Sequence, residues 1–197
     1  MSAATLYFAA FVPPDALALA RGLRRRDPAL LDGLIEQYQY RLYRYLLYLT
    51  GSPETAEDLF QETWIRVLDR GHQYDGRSKF ETWLFAIARH LAVDWSRRKN
   101  PRSLESLTEA DSGEPFELAA GGASVLDGIA RQETEARVRA SLGQLPAVYR
   151  EVLLLRFQED LTIEEIATVL GAPVSTVKSR LYRGLDGLRE RLAGGIE

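Results

Sequence analysis

The stretch LTIEEIATVLGAPVSTVKSRLYRGL, residues 161–185, decides the fold of the C-terminal part of this chain. Gly171 suits the C-terminus of a helix, and Pro173 cannot continue the helix before it. Thr162 is placed as the N-cap of that first helix. Two amphipathic helices about such a turn predict a helix-turn-helix. The apolar residues at helical spacing are Ile163, Ile166, Ala167 and Leu170 before the turn, and Val174, Val177, Leu181, Leu185 and Leu188 after it.

The second of these helices carries polar and basic residues opposite its apolar stripe. Small hydroxyls beside long cations allow a helix to enter the DNA major groove, where arginine pairs with guanine edges and flanking cations meet phosphates. The alternative is an ordinary solvated helix face. We predict that the following residues contact double-stranded DNA: Ser175, Thr176, Lys178, Ser179, Arg180, Tyr182 and Arg183.

The composition excludes several classes of site. The chain has 197 residues, a net charge of -3 and no cysteine, so it has no disulfide, no thiolate metal site and no cysteine nucleophile. Two histidines, His72 and His90, are too few for a zinc cluster without help from carboxylates. We expect no metal and no cofactor. No apolar run is long enough to span a bilayer, and the N-terminus lacks a basic signal-peptide region, so we expect a cytoplasmic protein without a membrane partner.

Acidic residues are concentrated in one segment. Residues 101–130 carry 6 acidic residues against one basic residue, Arg102, and are rich in Gly, Ser and Pro. This composition indicates a flexible acidic linker at 101–125; the alternative is a long loop of a single domain. The predicted fold is therefore all-α, with helical domains at 13–100 and 126–194, and residues 1–12 form an apolar extension without an assigned role.

The predicted helix at 53–69 has two stripes. Ala56, Leu59, Phe60, Thr63 and Val67 form its core side, whereas Asp58, Gln61, Glu62, Ile65 and Asp69 follow each other on another face. An isoleucine surrounded by acidic residues is typical of a docking surface for a basic protein partner. The alternative is that Ile65 packs inside its own domain.

Residues 74–100 interleave aromatic and basic side chains. Bases stack on aromatic rings while cations follow the phosphate backbone, so this pattern favours unpaired nucleic acid. The alternative is that Trp83 and Trp95 belong to the core. The aromatic residues are Tyr74, Trp83, Phe85 and Trp95, and the basic ones are Arg77, Lys79, Arg89, Arg97, Arg98 and Lys99.

Three motifs, in this order, resemble bacterial RNA polymerase sigma factors of the extracytoplasmic-function (ECF) subfamily. They are AEDLFQETWIRVL, SKFETWLFAIARHLAVDWSRR and LPAVYREVLLLRFQEDLTIEEIATVLGAPVSTVKSRLYRGLDGLRERL. With RLYRYLLYLTG they cover nearly everything from Pro13 to Leu192 except the linker. The resemblance implies a two-domain helical subunit without catalytic chemistry, which binds core RNA polymerase and recognises the −35 and −10 promoter elements.

The resemblance also assigns roles to individual residues. It implies that Asp58, Gln61 and Glu62, with Ile65 beside them, dock on the coiled coil of the largest polymerase subunit. It implies that the −35 element is read as duplex by Lys178, Ser179, Tyr182 and Arg183, although Leu185 and Asp186 stand where family members usually have a further basic residue. For the single-stranded −10 element and its melting, the resemblance implies the residues Tyr74, Arg77, Ser78, Lys79, Phe80, His90 and Asp94. The aromatic-basic pattern adds Trp83, Arg97 and Arg98 to this predicted site. Such factors are commonly held inactive by an anti-sigma protein, and no residue here identifies one.

Two other functions compete with this interpretation. A stand-alone helix-turn-helix repressor or activator explains the C-terminal block, but it leaves the Ile65 stripe and the aromatic-basic segment without a role. An enzyme would need a nucleophile–base pair, a phosphate loop or a metal cluster, and the sequence shows no such pattern. We therefore expect a non-catalytic transcription factor.

Overall fold

The computed structural model describes residues 15–99, 137–138 and 140–193. Within these ranges every regular element is a helix, which confirms the all-α prediction. The predicted extension at 1–12 and the predicted linker at 101–125 lie outside the described residues.

Four helices build the first domain. Helix α1 spans Ala16–Arg25, α2 spans Pro28–Thr50, α3 spans Pro53–Arg70, and α4 spans Phe80–Lys99, with a 3₁₀ turn at Gly71–Gln73. The first three begin at side-chain caps, because the side chains of Asp15, Asp27 and Ser52 accept hydrogen bonds from the first-turn backbone N–H groups. Proline at the start of α2 and α3 suits positions whose backbone N–H has no helical partner.

The core of this domain lies between α2, α3 and α4. The predicted inner stripe of α3 is buried except for Phe60, which is half-buried. On α4, Phe80 and Leu84 are buried, whereas Ile87 and Leu91 are only partly covered. Phe85 and Ala88 are fully buried instead, because α4 packs against both α3 and helices of the second domain. Its inner face is therefore wider than a single stripe.

The second domain contains the predicted helix-turn-helix. Helix α5 spans Ala147–Phe157, α6 spans Ile163–Leu170, and α7 spans Val174–Ala193. Thr162 and Glu165 form a reciprocal capping box at the start of α6. Gly171 ends α6 in the left-handed conformation, with φ of 60°. Val177 and Leu181 are buried, so α7 turns its opposite face outward.

The two domains pack directly against each other. Helices α2 and α4 contact α5 and α6, and one continuous set of buried residues runs through both domains. Sequence analysis did not predict this contact, because it described two domains joined only by a flexible linker. Side-chain contacts therefore set the relative position of the two domains in this structure.

Gly76 allows a close contact between α1 and the loop before α4. Its φ is +76°, and a Cβ there would lie 2.9 Å from the Ala16 carbonyl oxygen. Gly171 also has a positive φ, of +60°, but a Cβ there would meet nothing within 4 Å. A comparison of substitutions at the two glycines therefore distinguishes the energetic cost of the left-handed backbone conformation from the cost of the steric contact with α1.

We expect Gly76→Ala to destabilise the protein more than Gly171→Ala does. Both substitutions place an L-residue in the left-handed region, which costs about 1–2 kcal/mol. Only Gly76→Ala must also displace α1. The measurement is urea denaturation followed by circular dichroism. Equal decreases in the free energy of unfolding would show that α1 can shift to accommodate the methyl group without a loss of stability.

Candidate nucleic-acid interface

The outward face of α7 presents the residues predicted to bind DNA. Five of them are exposed, namely Ser175, Lys178, Ser179, Tyr182 and Arg183, whereas Thr176 and Arg180 are half-buried. Several line an open cleft of about 360 Å³ between α7 and the start of α5, which Val148 and Tyr149 complete. Sequence analysis missed these two residues, because their position beside α7 depends on how the helices cross.

A close crossing of α5 and α7 builds this cleft. A Cβ at Gly184 would lie 3.2 Å from the Leu153 side chain and 3.3 Å from the Tyr149 Cβ. The small residue therefore lets α5 and α7 approach each other directly after Arg183, the last of the residues predicted to bind DNA. Arg183 lines the cleft and Lys178 does not, so the two cations stand in different surroundings.

Tyr74 supports the loop between the 3₁₀ turn and α4 from the interior of the domain. Its ring is 2% exposed and packs against Phe80 and Trp83, with centroid distances of 5.8 and 5.4 Å. Its hydroxyl donates to the Ser78 carbonyl oxygen at 2.8 Å. Burial, followed by the nearby carboxylates of Glu81 and Asp75, raises the pKa of Tyr74, so the hydroxyl remains a donor. The ring was predicted to lie on the nucleic-acid surface, and in this structure it supports the loop from within.

The rest of the loop is more accessible. Arg77 is exposed, and its guanidinium lies 3.3 Å from the Asp75 carboxylate. The backbone N–H of Arg77 donates to Asp75 Oδ1 at 3.0 Å, which closes a tight turn before Ser78 and Lys79. The loop therefore offers short polar groups and two cations on a rigid support.

Helix α4 carries the remaining residues predicted for the −10 element. His90 and Asp94 are exposed, and His90 Nδ1 lies 2.7 Å from the Ala86 carbonyl oxygen. Arg97 and Arg98 are exposed in the last turn. Lys99 lies 5.0 Å from the centroid of the half-buried Trp95 ring.

The predicted aromatic surface of α4 is smaller than the sequence indicated. Phe85 is fully buried and meets Tyr45 edge-on at 5.1 Å, so it is not available to bases. Phe80 is buried as well, whereas Trp83 is half-buried between Tyr74 and Phe80. Cations rather than rings dominate the accessible part of this helix.

The acidic face of α3 is accessible around Ile65. Ile65 is 51% exposed, which argues against its packing inside the domain. Asp58 and Gln61 are exposed beside it, and Glu62 forms an ion pair with Arg66 at 2.8 Å on the same helix. The structure thus keeps an apolar side chain with an acidic border on the surface.

Buried polar contacts join the two domains, and sequence analysis did not find them. Glu151 is 1% exposed and accepts hydrogen bonds from the Tyr45 hydroxyl at 2.8 Å and from Arg89 Nε at 3.0 Å. Burial and the Glu151 carboxylate raise the pKa of Tyr45 well above its usual value, so the hydroxyl donates. Glu159 is also buried and pairs with Arg41 at 2.7 Å. In the sequence, the only indication of these contacts is an acidic residue, Glu151, among the apolar residues of α5.

A third contact links the loop to the helix-turn-helix. Lys79 Nζ lies 3.0 Å from Glu165 Oε1. Burial alone would raise the pKa of Glu165, but hydrogen bonds with Thr162 and Lys79 outweigh it and lower that pKa. Glu165 is therefore an ionised partner at neutral pH for a residue predicted to bind the −10 element.

Two sequence families match this chain. Sigma-70 region 2 matches residues 34–102, and Sigma-70 region 4 matches residues 135–186. The ECF RNA polymerase sigma factor SigX of Bacillus subtilis (strain 168) is 35% identical over 168 residues, which cover 81% of each chain. The chain belongs to the ECF sigma factors. SigW of the same organism is 30% identical over 173 residues, which cover 86% of this chain and 92% of that protein.

Solved structures of sigma factors share the fold of this ECF sigma factor. CnrH in complex with the cytosolic domain of CnrY aligns with a TM-score of 0.64 at 21% identity, covering 92% of this chain and 99% of that one. The sigma factor RpoE of Bartonella quintana, in complex with the anti-sigma factor NepR, aligns with a TM-score of 0.59 at 22% identity, covering 82% and 96%.

The described residues contain neither a membrane-spanning helix nor a metal-binding cluster. No helix there is long and apolar enough to cross a membrane. No group of three or more His, Asp or Glu side chains in the same part of the chain is arranged to hold a metal ion.

Proposed function

We propose that this ECF sigma factor is a cytoplasmic, non-catalytic subunit that directs core RNA polymerase to promoters. One observation carries the proposal: a single chain presents an acidic face around the exposed Ile65 and a basic helix-turn-helix face on α7. A stand-alone repressor requires only the second face. Core polymerase and promoter DNA are the proposed partners.

The α7 face is suited to reading the −35 element as duplex. Arg183 projects beside the cleft with Tyr149, where its planar guanidinium can pair with two acceptors on a guanine edge. Lys178 is exposed outside the cleft, so it is placed to neutralise a phosphate as a point charge. Specificity then comes from Arg183, and Lys178 adds affinity for any sequence.

The loop before α4 is the proposed site for an unpaired base of the −10 element. Extruding a base costs a few kcal/mol of stacking, which contacts in the site must offset. Because Tyr74 is buried and its hydroxyl holds the Ser78 carbonyl, we assign it a positioning role. The accessible groups of Arg77, Ser78 and Lys79 then contact the strand, with Arg97 and Arg98 following its backbone.

Reading both promoter elements at once requires the two domains to separate. The elements lie about 25 base pairs apart, which at 3.4 Å per base pair is roughly 85 Å along straight DNA. A packed chain of this length is only about 40 Å across by the usual scaling of size with residue number. The contacts of Glu151 and Glu159 must therefore break when the factor engages a promoter. An anti-sigma protein, such as the one bound to the similar RpoE, is a proposed regulator.

The proposal is tested by selecting promoters from a randomised duplex library, with and without core polymerase. We expect the factor with core polymerase to enrich sequences with two motifs at a fixed spacing, because each reading surface is small. The factor alone should bind weakly and enrich no such pair. Tight selection of one motif by the factor alone at physiological salt would favour a stand-alone repressor instead.

The acidic face of α3 is tested by Gln61→Ala with Glu62→Ala. We expect weaker binding to core polymerase, measured by sedimentation, since the partner surface loses its complementary polar groups. The free energy of unfolding should change by no more than about 0.5 kcal/mol, because both residues are at the surface. The matched control is Glu36→Ala with Gln39→Ala on α2. If the two double variants bind polymerase equally well, the α3 face is not the docking surface.

The roles of Arg183 and Lys178 are distinguished by holoenzyme binding to a base-by-base scan of the selected −35 motif. Arg183→Ala should cost about 1–3 kcal/mol and relax the preference at one base pair. Lys178→Ala should weaken all sequences equally and reduce the slope of log affinity against log salt by roughly 0.9. Uniform weakening by Arg183→Ala, with a changed salt slope, would show that Arg183 contacts phosphate.

A further inference from the structure

Helix α1 and the residue after it carry a cluster of four exposed arginines: Arg21, Arg24, Arg25 and Arg26. The segment Ala16–Arg26 contains no acidic residue. Arg26 lies 3.7 Å from Asp69, and Arg21 Nε donates to the Leu17 carbonyl oxygen at 3.3 Å. Among the residues that the structure describes, none forms an ion pair with Arg24 or Arg25. The cluster is therefore largely free to meet an anionic ligand.

The stability of α1 does not account for this cluster. Leu19, Ala20 and Leu23 bury the opposite side of the helix. The helix dipole favours cations in the last turn. However, Arg21 precedes Arg24 and Arg25 by three and four residues, and like charges at these spacings repel each other. The arginines therefore add little to the stability of α1.

The arginine cluster lies at the opposite end of α1 from the loop proposed to capture a base. Helix α1 runs antiparallel to residues 69–76, since three contacts follow in opposite order along the two segments. Arg26 meets Asp69, a Cβ at Gly71 would lie 3.0 Å from the Leu23 carbonyl oxygen, and one at Gly76 would lie 2.9 Å from the Ala16 carbonyl oxygen. The loop is therefore built directly on α1, and the exposed cations of Arg70 and Arg77 lie in the adjoining segments.

We propose that the arginine cluster of α1 binds the phosphate backbone of the unpaired DNA strand where that strand runs along α1, away from the captured base. This inference rests on the proposed function, because it extends the single-strand site from the loop onto α1. A helix of 10 residues is about 15 Å long at 1.5 Å per residue. The length of α1 therefore places the arginines within about four nucleotides of the loop, at the 3.4 Å spacing of a stacked strand. Cations along a strand whose bases stack elsewhere are the usual arrangement in single-strand binding.

The test is the affinity of holoenzyme for a pre-melted template that carries only the −10 region of a selected promoter. For single-stranded DNA, each phosphate that the protein neutralises adds about 0.7 to the magnitude of the slope of log affinity against log salt. Arg24→Ala with Arg25→Ala should therefore lower the slope by roughly 1.4, which makes the variant's deficit roughly sevenfold smaller at 200 mM than at 50 mM salt. Binding to core polymerase should be unchanged.

The control removes two arginines of the second domain, Arg137→Ala with Arg189→Ala, which lie outside the contacts this template offers. It should leave both the affinity and the slope unchanged. A slope of the Arg24, Arg25 double variant equal to that of the wild type would overturn the α1 site while leaving the proposed function intact. Failure of the wild-type factor to bind core polymerase would instead refute the proposed function itself.

A crosslinking experiment identifies what the cluster touches. The chain has no cysteine, so Arg24→Cys provides a single thiol for a photoactivatable label before the holoenzyme is assembled. We expect crosslinks to the unpaired strand within a few nucleotides of the captured base. Crosslinks only to polymerase subunits would show that the arginines face an acidic protein surface, and the DNA assignment would then be wrong.

Discussion

Glu151 lies in the middle of an apolar helix and is 1% exposed, so its carboxylate must find partners inside the protein. It finds them on two helices of the other domain, in Tyr45 of α2 and Arg89 of α4. An ionised carboxylate left without these partners would be strongly destabilising, whereas the paired arrangement is tolerated. The need to satisfy this one charge thus fixes the position of α5 against α2 and α4. Together with the contacts of Glu159 and Glu165 and the packing of α4 against α6, this contact sets the position of the second domain relative to the first.

The packed arrangement leaves the two proposed docking faces accessible while it restrains the loop. Ile65 on α3 and Tyr182 on α7 remain exposed, so neither face is covered by the other domain. Lys79 is tied to Glu165 of the helix-turn-helix. Parting the domains would therefore release a cation at the edge of the base-capturing loop. Separation would hydrate the charged groups on both sides of the interface, but it would also expose apolar residues that the two domains bury together.

Features that depend on short-range chemistry could be predicted from the sequence. The capping of α6 by Thr162 and the left-handed Gly171 follow from residues a few positions apart, and the structure has both. The exposed stripe around Ile65 follows from helical periodicity, because one face of α3 is sufficient to build the core. The order of the helices and the position of the turn needed no knowledge of distant contacts.

Features that depend on distant residues could not be predicted in this way. Tyr45 and Glu151 are 106 residues apart, so nothing local indicates that they meet. The burial of Tyr74 depends on Phe80 and Trp83 closing over it, and composition gives the same aromatic signal for a buried ring as for a stacking platform. The cleft residues Val148 and Tyr149 depend on the crossing of α5 and α7 at Gly184. In each case, tertiary packing decides whether a side chain is buried or exposed and which residues it contacts.

The polar character of the domain interface also gives it a distinctive response to heat. Withdrawing charged groups from water becomes less costly as temperature rises, because their hydration carries a strongly unfavourable entropy. Contacts such as Arg89–Glu151 and Arg41–Glu159 therefore weaken less on warming than their room-temperature energetics would indicate. An interface made only of apolar side chains would instead lose strength mainly on cooling. The two buried ion pairs thus give the association of the two domains a temperature response that the apolar contacts beside them lack.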